Sequence, residues 1–196
     1  MPRTKQFTKL VLCSGAALLG VSVLGSLGCQ SDRANSASRS SARHEGGMAM
    51  PAAMNDGEFA AMMAMHHAGA IDMGRYEAQN GSRADVRALA TRMADAQTAE
   101  NTKLEAIARE VGHAEHKGDP MMDKHSMKDM QALKAARGAE VDRVFLTHMI
   151  DHHENGVKMA RDAMPNLKRD DLRRMAKMMI DDQSREVAQM RSMLNR

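Results

Sequence analysis

The chain contains two copies of one pattern, and whatever it folds into must accommodate both. Sliding the sequence by 86 residues (145 − 59) lays "FAAMMAMHHAGAIDMGR", from Phe59, over "FLTHMIDHHENGVKMAR", from Phe145. The phenylalanines coincide, as do Met63 with Met149, His66 and His67 with His152 and His153, Met73 with Met159, and Arg75 with Arg161. The register continues without a gap: Met93, Asp95, Gln97 and Glu100 fall on Met179, Asp181, Gln183 and Glu186. An ungapped offset of this length marks an internal duplication, so any chemistry is to be read as two related half-sites.

Each copy reads as a pair of helices. Asn55 or Asp56 can cap a first helix, and Phe59, Met62, Met63, His66, Ala70 and Met73 recur at helical spacing to about Gln79. The segment "NGSRAD" interrupts it. A second helix spans about 84–110, with Val86, Leu89, Met93, Leu104 and Ile107 on its apolar side and Gly112 just past its end. The second copy repeats the scheme over about 139–163 and 167–194, parted by Pro165. No segment alternates like a strand. Two thin amphipathic hairpins bury their stripes against one another, so the expected fold is all-α: a four-helix bundle over 56–196 built from two duplicated helical hairpins. A Met- and His-rich crossover at about 112–138 joins them, with Met127 to Arg137 as a short extra helix.

Residues 1–28 have the layout of an export signal: Arg3, Lys5 and Lys9 precede an uncharged run from Leu10 to Gly28. The run ends "GSLGC", which resembles the lipobox of bacterial lipoproteins and makes Cys29 the lipidation candidate, although Ser26 stands where leucine is usual. An uncleaved membrane anchor is the alternative. Either reading places the rest of the chain on the periplasmic side of the cell envelope, and a lipid anchor in a Gram-negative cell places it at the outer membrane. Loss of the signal removes three cations and no acids, taking the formal charge from +3 to zero (3 − 3), and with it the electrostatic case for a nucleic-acid partner. Cys13 lies within the signal, so a mature chain forms no internal disulfide. Residues 29–55 are Ser, Ala, Arg, Gly and Met without a large aliphatic side chain, the composition of a flexible tether. His44, Met48, Met50 and Met54 lie in it.

The duplicated motif points to a metal. His148 and His152 are four apart and share a helix face, a spacing at which two imidazoles can hold one ion, and Met159 lies seven further along. The equivalent set in the first copy is Met62, His66 and Met73. His67 and His153 lie about 100° round from their neighbours and align instead with Met63 and Met149. Thioether with imidazole outside the reducing cytosol suits copper, Cu(I) through sulfur and Cu(II) through nitrogen, with silver as a mimic. Zinc calls for more His, Cys or carboxylate. The competing reading is packing, since methionine is a flexible core filler and the histidines can serve as core residues of a structural or interaction module. The crossover adds His113, His116, Met121, Met122, His125, Met127 and Met130, which fit either a scavenging cluster or a solvated loop. Gln97 and Gln183 are placed to orient the imidazoles from the neighbouring helices.

The element M-x-x-H-H-x-x-A/G-I/V-x-M, occurring twice and followed each time by D-x-Q-x-x-E, resembles the bacterial family called domain of unknown function 305 over roughly 56–196. That resemblance implies a ferritin-like four-helix bundle, export to the cell envelope, and copper binding or tolerance in some members. It places Met63, His66, His67 and Met73, and Met149, His152, His153 and Met159, on the motif positions. The first copy departs from the usual pattern at "HHAGAIDMG", where a glutamine after the histidines and a closing alanine are commoner, without losing a candidate ligand. A di-iron centre needs a Glu from two helices and Glu-x-x-His from two others, and only Glu110 with His113 fits. The chain also lacks a phosphate loop, a serine elbow and, once matured, a nucleophilic cysteine, so an enzyme is not expected. The expected partners are a metal ion and the membrane, with a homodimer left open.

Overall fold

The computed structural model describes residues 54–113 and 120–196; the signal segment, Cys29, the tether to residue 53 and His116 lie outside the described residues. Five α-helices follow one another: α1 Asp56–Asn80, α2 Ala84–Glu110, α3 Pro120–Ala135, α4 Ala139–Ala163 and α5 Asp170–Leu194, with a 3-10 turn at Met164–Asn166. There is no strand among the described residues. α1 packs on α2 and α4 on α5 as two hairpins, α1 meets α4 across the seam between them, and α3 lies against α1 and α4. The expected four-helix bundle is therefore present. The crossover helix is longer than Met127 to Arg137, beginning at Pro120, where proline's fixed φ and missing N–H suit a first turn.

The turns show why the duplication matters. Asn55 caps α1, accepting from the N–H groups of Gly57 and Glu58, while Glu58 returns a bond to the Asn55 N–H at 2.9 Å. Asp56 is thereby free to reach across the bundle, accepting from the N–H groups of Lys168 (2.8 Å) and Arg169 (3.2 Å) at the start of α5. The duplicate of Asp56 is Asp142, which accepts from Ser82 (3.1 Å) and Arg83 (3.0 Å) at the start of α2. Each hairpin thus satisfies the exposed donors of the other's second helix, and a carboxylate sits favourably at each positive helix end. This cross-cap also sets the start of α5: Leu167 stays extended and buried, and the helix begins at Asp170 rather than at Leu167.

The core falls into two apolar clusters. One gathers Met54, Phe59, Met63, Leu104, Met159 and Met179 among its members; the other holds Met73, Met93, Phe145, Met149, Leu146 and Met190. Met54, at the end of the tether segment, is only 1% exposed and belongs to the first cluster. Both clusters draw side chains from all four bundle helices, the second also taking Leu133 from α3, so neither hairpin has a complete core alone.

Replacing Asp56 or Asp142 with alanine removes two bonds to helix N–H groups, and each should cost about 1–2 kcal/mol. Thermal denaturation followed by circular dichroism should show the two losses alike, with an Asp95→Ala control, on the exposed face of α2, near the parent.

Candidate metal centre

Between the apolar clusters lies a layer of buried polar side chains. His66, His67, His152 and His153 are at most 3% exposed, and Gln97 and Gln183 are at most 5% exposed. Helix α1 supplies the first two histidines and α4 the second two, because adjacent positions on a helix diverge by about 100° and both directions here point into protein. The rings repeat the duplication in space: His66–His67 and His152–His153 have the same centroid separation, 6.4 Å, and the same tilt, 56°.

His66 and His152 meet at the seam with ring centroids 3.8 Å apart. Both nitrogens of His66 and Nδ1 of His152 are buried without a hydrogen-bond partner. Such orphaned polar atoms cost about 1–3 kcal/mol each. Small residues permit the approach. A methyl group at Gly156 would stand 2.9 Å from His66 Cε1 and 2.5 Å from Gln183 Oε1, and one at Gly69 would stand 3.3 Å from His152 Nε2 and 2.7 Å from Ser126 Oγ on α3.

The outer pair is turned toward the second helices. His153 Nε2 lies 2.8 Å from Glu186 Oε2 on α5, and the duplicate contact, His67 Nε2 to Glu100 Oε2 on α2, is 3.7 Å. Gln183 Nε2 also lies 3.4 Å from His67 Nε2, so the expected placement of this glutamine beside an imidazole is met, on the opposite hairpin from its own.

Burial holds His66, His67 and His152 neutral. Desolvation first, then the neighbouring His67 and His153 rings, lowers His66 to about 3; desolvation and His153 lower His67 to about 3; His152 is lowered for the same reasons, with His66 the nearest ring. Two carboxyls move the other way. Glu77 rises to about 8 through burial and the adjacent Asp142, and Glu100 to about 7 through burial and the facing Asp182 and Glu186.

His148 has a different setting from the one its spacing suggests. It is half-exposed, and its Nδ1 lies 2.9 Å from Asp129 Oδ1 on α3, with His125 Nε2 3.3 Å from the other carboxylate oxygen. Its hydrogen bond to the Asp129 carboxylate, which accepts, raises the His148 pKa. The ring that His152 faces is thus His66, eighty-six positions away (152 − 66), and not His148 one turn before it. Met62, Met63, Met73, Met149 and Met159 are all buried. Met62 and Met63 share their cluster with Met159, and Met73 shares its cluster with Met149, so thioethers from both copies flank the histidine layer on each side. Asp129 and Glu186 carry no signal of their own in the sequence beyond the repeat of Glu186. Among the described residues, no three His, Cys, Asp or Glu side chains are grouped to hold a metal ion, so a centre here has to draw on sulfur or amide donors as well.

A duplicated all-helical bundle with a histidine and glutamine layer at its seam defines the class of the protein. The profile of the family described as Domain of unknown function (DUF305) matches residues 28–108 and 56–194, and the chain belongs to that family. Solved structures share the fold. CopM in its Cu(II)-bound form is 28% identical with a TM-score of 0.62, covering 72% of this chain and 97% of its own; CopM in its Ag-bound form is 26% identical with a TM-score of 0.63, covering 72% and 96%. A DUF305 protein of Streptomyces coelicolor is 23% identical with a TM-score of 0.65, covering 72% and 93%. No curated protein matches the chain.

The titrations have opposed signs. Between about 3 and 6.5 the unfolded chain binds protons that native His66 and His67 refuse, so stability falls as pH drops through that window. Between 4.5 and about 8 the native state keeps protons on Glu77 and Glu100 that the unfolded chain releases, so stability falls as pH rises there. The metal-free protein should therefore melt highest near about pH 6, declining on both sides, in a series of thermal scans.

Proposed function

We propose that this protein is a non-catalytic, exported copper-binding protein of the cell envelope, holding the ion at the bundle seam and buffering it or passing it on. The observation that carries the reading is the His66–His152 pair, two buried imidazoles in contact whose ring nitrogens include three without a partner. A neutral imidazole with a free lone pair is a ligand, whereas a core histidine kept for packing alone normally has both nitrogens satisfied. The buried thioethers on either side supply the soft donors that favour copper, and silver with it, over harder ions. Met62, Met63 and Met159 lie in the cluster on one side, and Met73 and Met149 in the cluster on the other. CopM, whose structures hold Cu(II) and Ag, supports the choice of metal. Burial that keeps the histidines neutral at physiological pH also removes proton competition for the site.

The export signal and Cys29 supply the compartment in this reading, with a lipid anchor holding the bundle at the membrane's periplasmic side. Among the described residues no helix is long and apolar enough to cross a membrane.

An anaerobic Cu(I) titration against a competing chelator tests the proposal. A His66→Ala/His152→Ala variant should bind on the order of 100-fold more weakly or worse, more than the loss of an outer supporting group produces. His148→Ala should bind like the parent, because Asp129 already engages that ring. Undiminished binding in the double variant would sink the seam site, and a loss on changing His148 alone would move the ion to the outer face of α4.

A further inference from the structure

The seam histidines are covered differently on their two sides. A methyl group at Gly156 would meet His66 at a ring carbon, Cε1, 2.9 Å away, and Gln183 of α5, itself 3% exposed, fills the space beside it. At Gly69 the nearest ring atom is a nitrogen, His152 Nε2 at 3.3 Å, and the other neighbour is the Ser126 side chain of α3, with Oγ at 2.7 Å. Gly69 and Ser126 also line a groove of about 310 Å³ between α1 and α3, together with Asp72, Met127, Met130 and Lys134. At that end of the groove the two residues beside His152 Nε2 carry between them a single hydroxymethyl group. The duplication does not repeat this opening, since Gly69 falls on Asn155.

We infer that the α1–α3 groove is the entrance by which a soft monovalent ion, Cu(I) or Ag(I), reaches the seam, taken first by the thioethers of Met127 and Met130 and passed beside Gly69 to His152 Nε2. The inference rests on the seam reading and adds to it the direction of approach. Met127 and Met130 are three apart on α3, share a face and both line the groove. Met127 is 62% exposed, the most exposed large apolar side chain among the described residues, whereas the five methionines beside the seam are 5% exposed or less. A sulfur at the lip can meet an ion in water, and the buried ones cannot.

Ligand chemistry explains the order of the donors. One or two thioethers hold a soft ion weakly enough to let it go, and an ion that moves from sulfur to imidazole exchanges ligands one at a time without being stripped bare. The charged lining is one carboxylate, Asp72, and one ammonium, Lys134, so the mouth offers cations no net attraction and selection falls to sulfur. On the opposite side of the seam the buried Gln183 stands where the groove would have to be.

The test is anaerobic stopped-flow transfer of Cu(I) from a coloured competing chelator, which gives the rate of loading, with excess chelator giving the rate of release. A group that the ion touches only in passing alters both rates by one factor and leaves their ratio, Kd, as it was. Met127→Leu/Met130→Leu keeps the apolar volume and removes both sulfurs, and should load and release about tenfold more slowly than the parent at the same Kd. Gly69→Ala, which places a methyl group 3.3 Å from Nε2, should also slow loading. Met178→Leu removes a 53% exposed methionine from α5, outside the groove, and should match the parent. Should circular dichroism show the double variant misfolded, Met127→Leu alone, at a solvent-exposed position, replaces it and is expected to slow both rates. Parent rates in the methionine variant or in Gly69→Ala overturn the route, as does equal slowing by Met178→Leu. A raised Kd with unchanged loading in Met127→Leu/Met130→Leu overturns it too, since the two sulfurs would then be ligands of the resting ion. Each of these leaves the seam reading standing while His66→Ala/His152→Ala loses binding, whereas undiminished binding in that variant sinks both.

Discussion

The buried contact between His66 and His152 is the constraint around which the bundle is arranged. A polar layer in the middle of an apolar core is expensive, and here it comes with orphaned ring nitrogens and with the division of the core into two clusters. Closing helices over it requires small residues where backbone must approach ring, which Gly69 and Gly156 provide. It also requires that the two hairpins be held in one relative position, because neither can bury its histidines alone. Asp56 and Asp142 meet that need at opposite ends, each tying its own first helix to the partner hairpin's turn. The stabilising apolar clusters sit at the two ends, and the unsatisfied chemistry sits between them.

That arrangement sorts the donors by hardness. Thioethers lie in the apolar clusters on either side of the inner imidazoles, while carboxylates and amides approach the outer imidazoles from α2 and α5. Two adjacent histidines on one helix thereby serve two environments, the first ring facing the other hairpin and the second facing a glutamate, Glu100 or Glu186, on its own hairpin's second helix. The crossover helix is not a bystander, since Asp129 on α3 binds His148 and His125, and Ser126 closes on Gly69 beside His152.

Periodicity made α1, α2 and α4 legible almost to the residue, because their apolar stripes are long and end at Asn-Gly, Gly112 and Pro165. It erred on α5 because the donors that stop Lys168 and Arg169 from extending the helix are paired with Asp56, 112 and 113 positions away. Asn55 and Asp56 both read as candidate local caps, and it is Asn55 that fills the role. The crossover was harder to place, since its Met- and His-rich composition does not distinguish a solvated loop from a helix packed against α1 and α4.

The duplication, the all-helical class and the types of side chain available as ligands were determined by the sequence alone, because an ungapped 86-residue offset (145 − 59) and helical spacing are properties of the one-dimensional string. Which donors meet was decided only by the tertiary structure. Spacing along α4 joins His148 to His152, but helix packing turns His152 onto His66 and leaves His148 to Asp129. In the same way Met63 shares its cluster with Met159 and Met73 with Met149. A helix face fixes the direction in which a side chain leaves its own backbone, whereas the partner it finds depends on how two faces are laid together, and that depends on every contact along the seam.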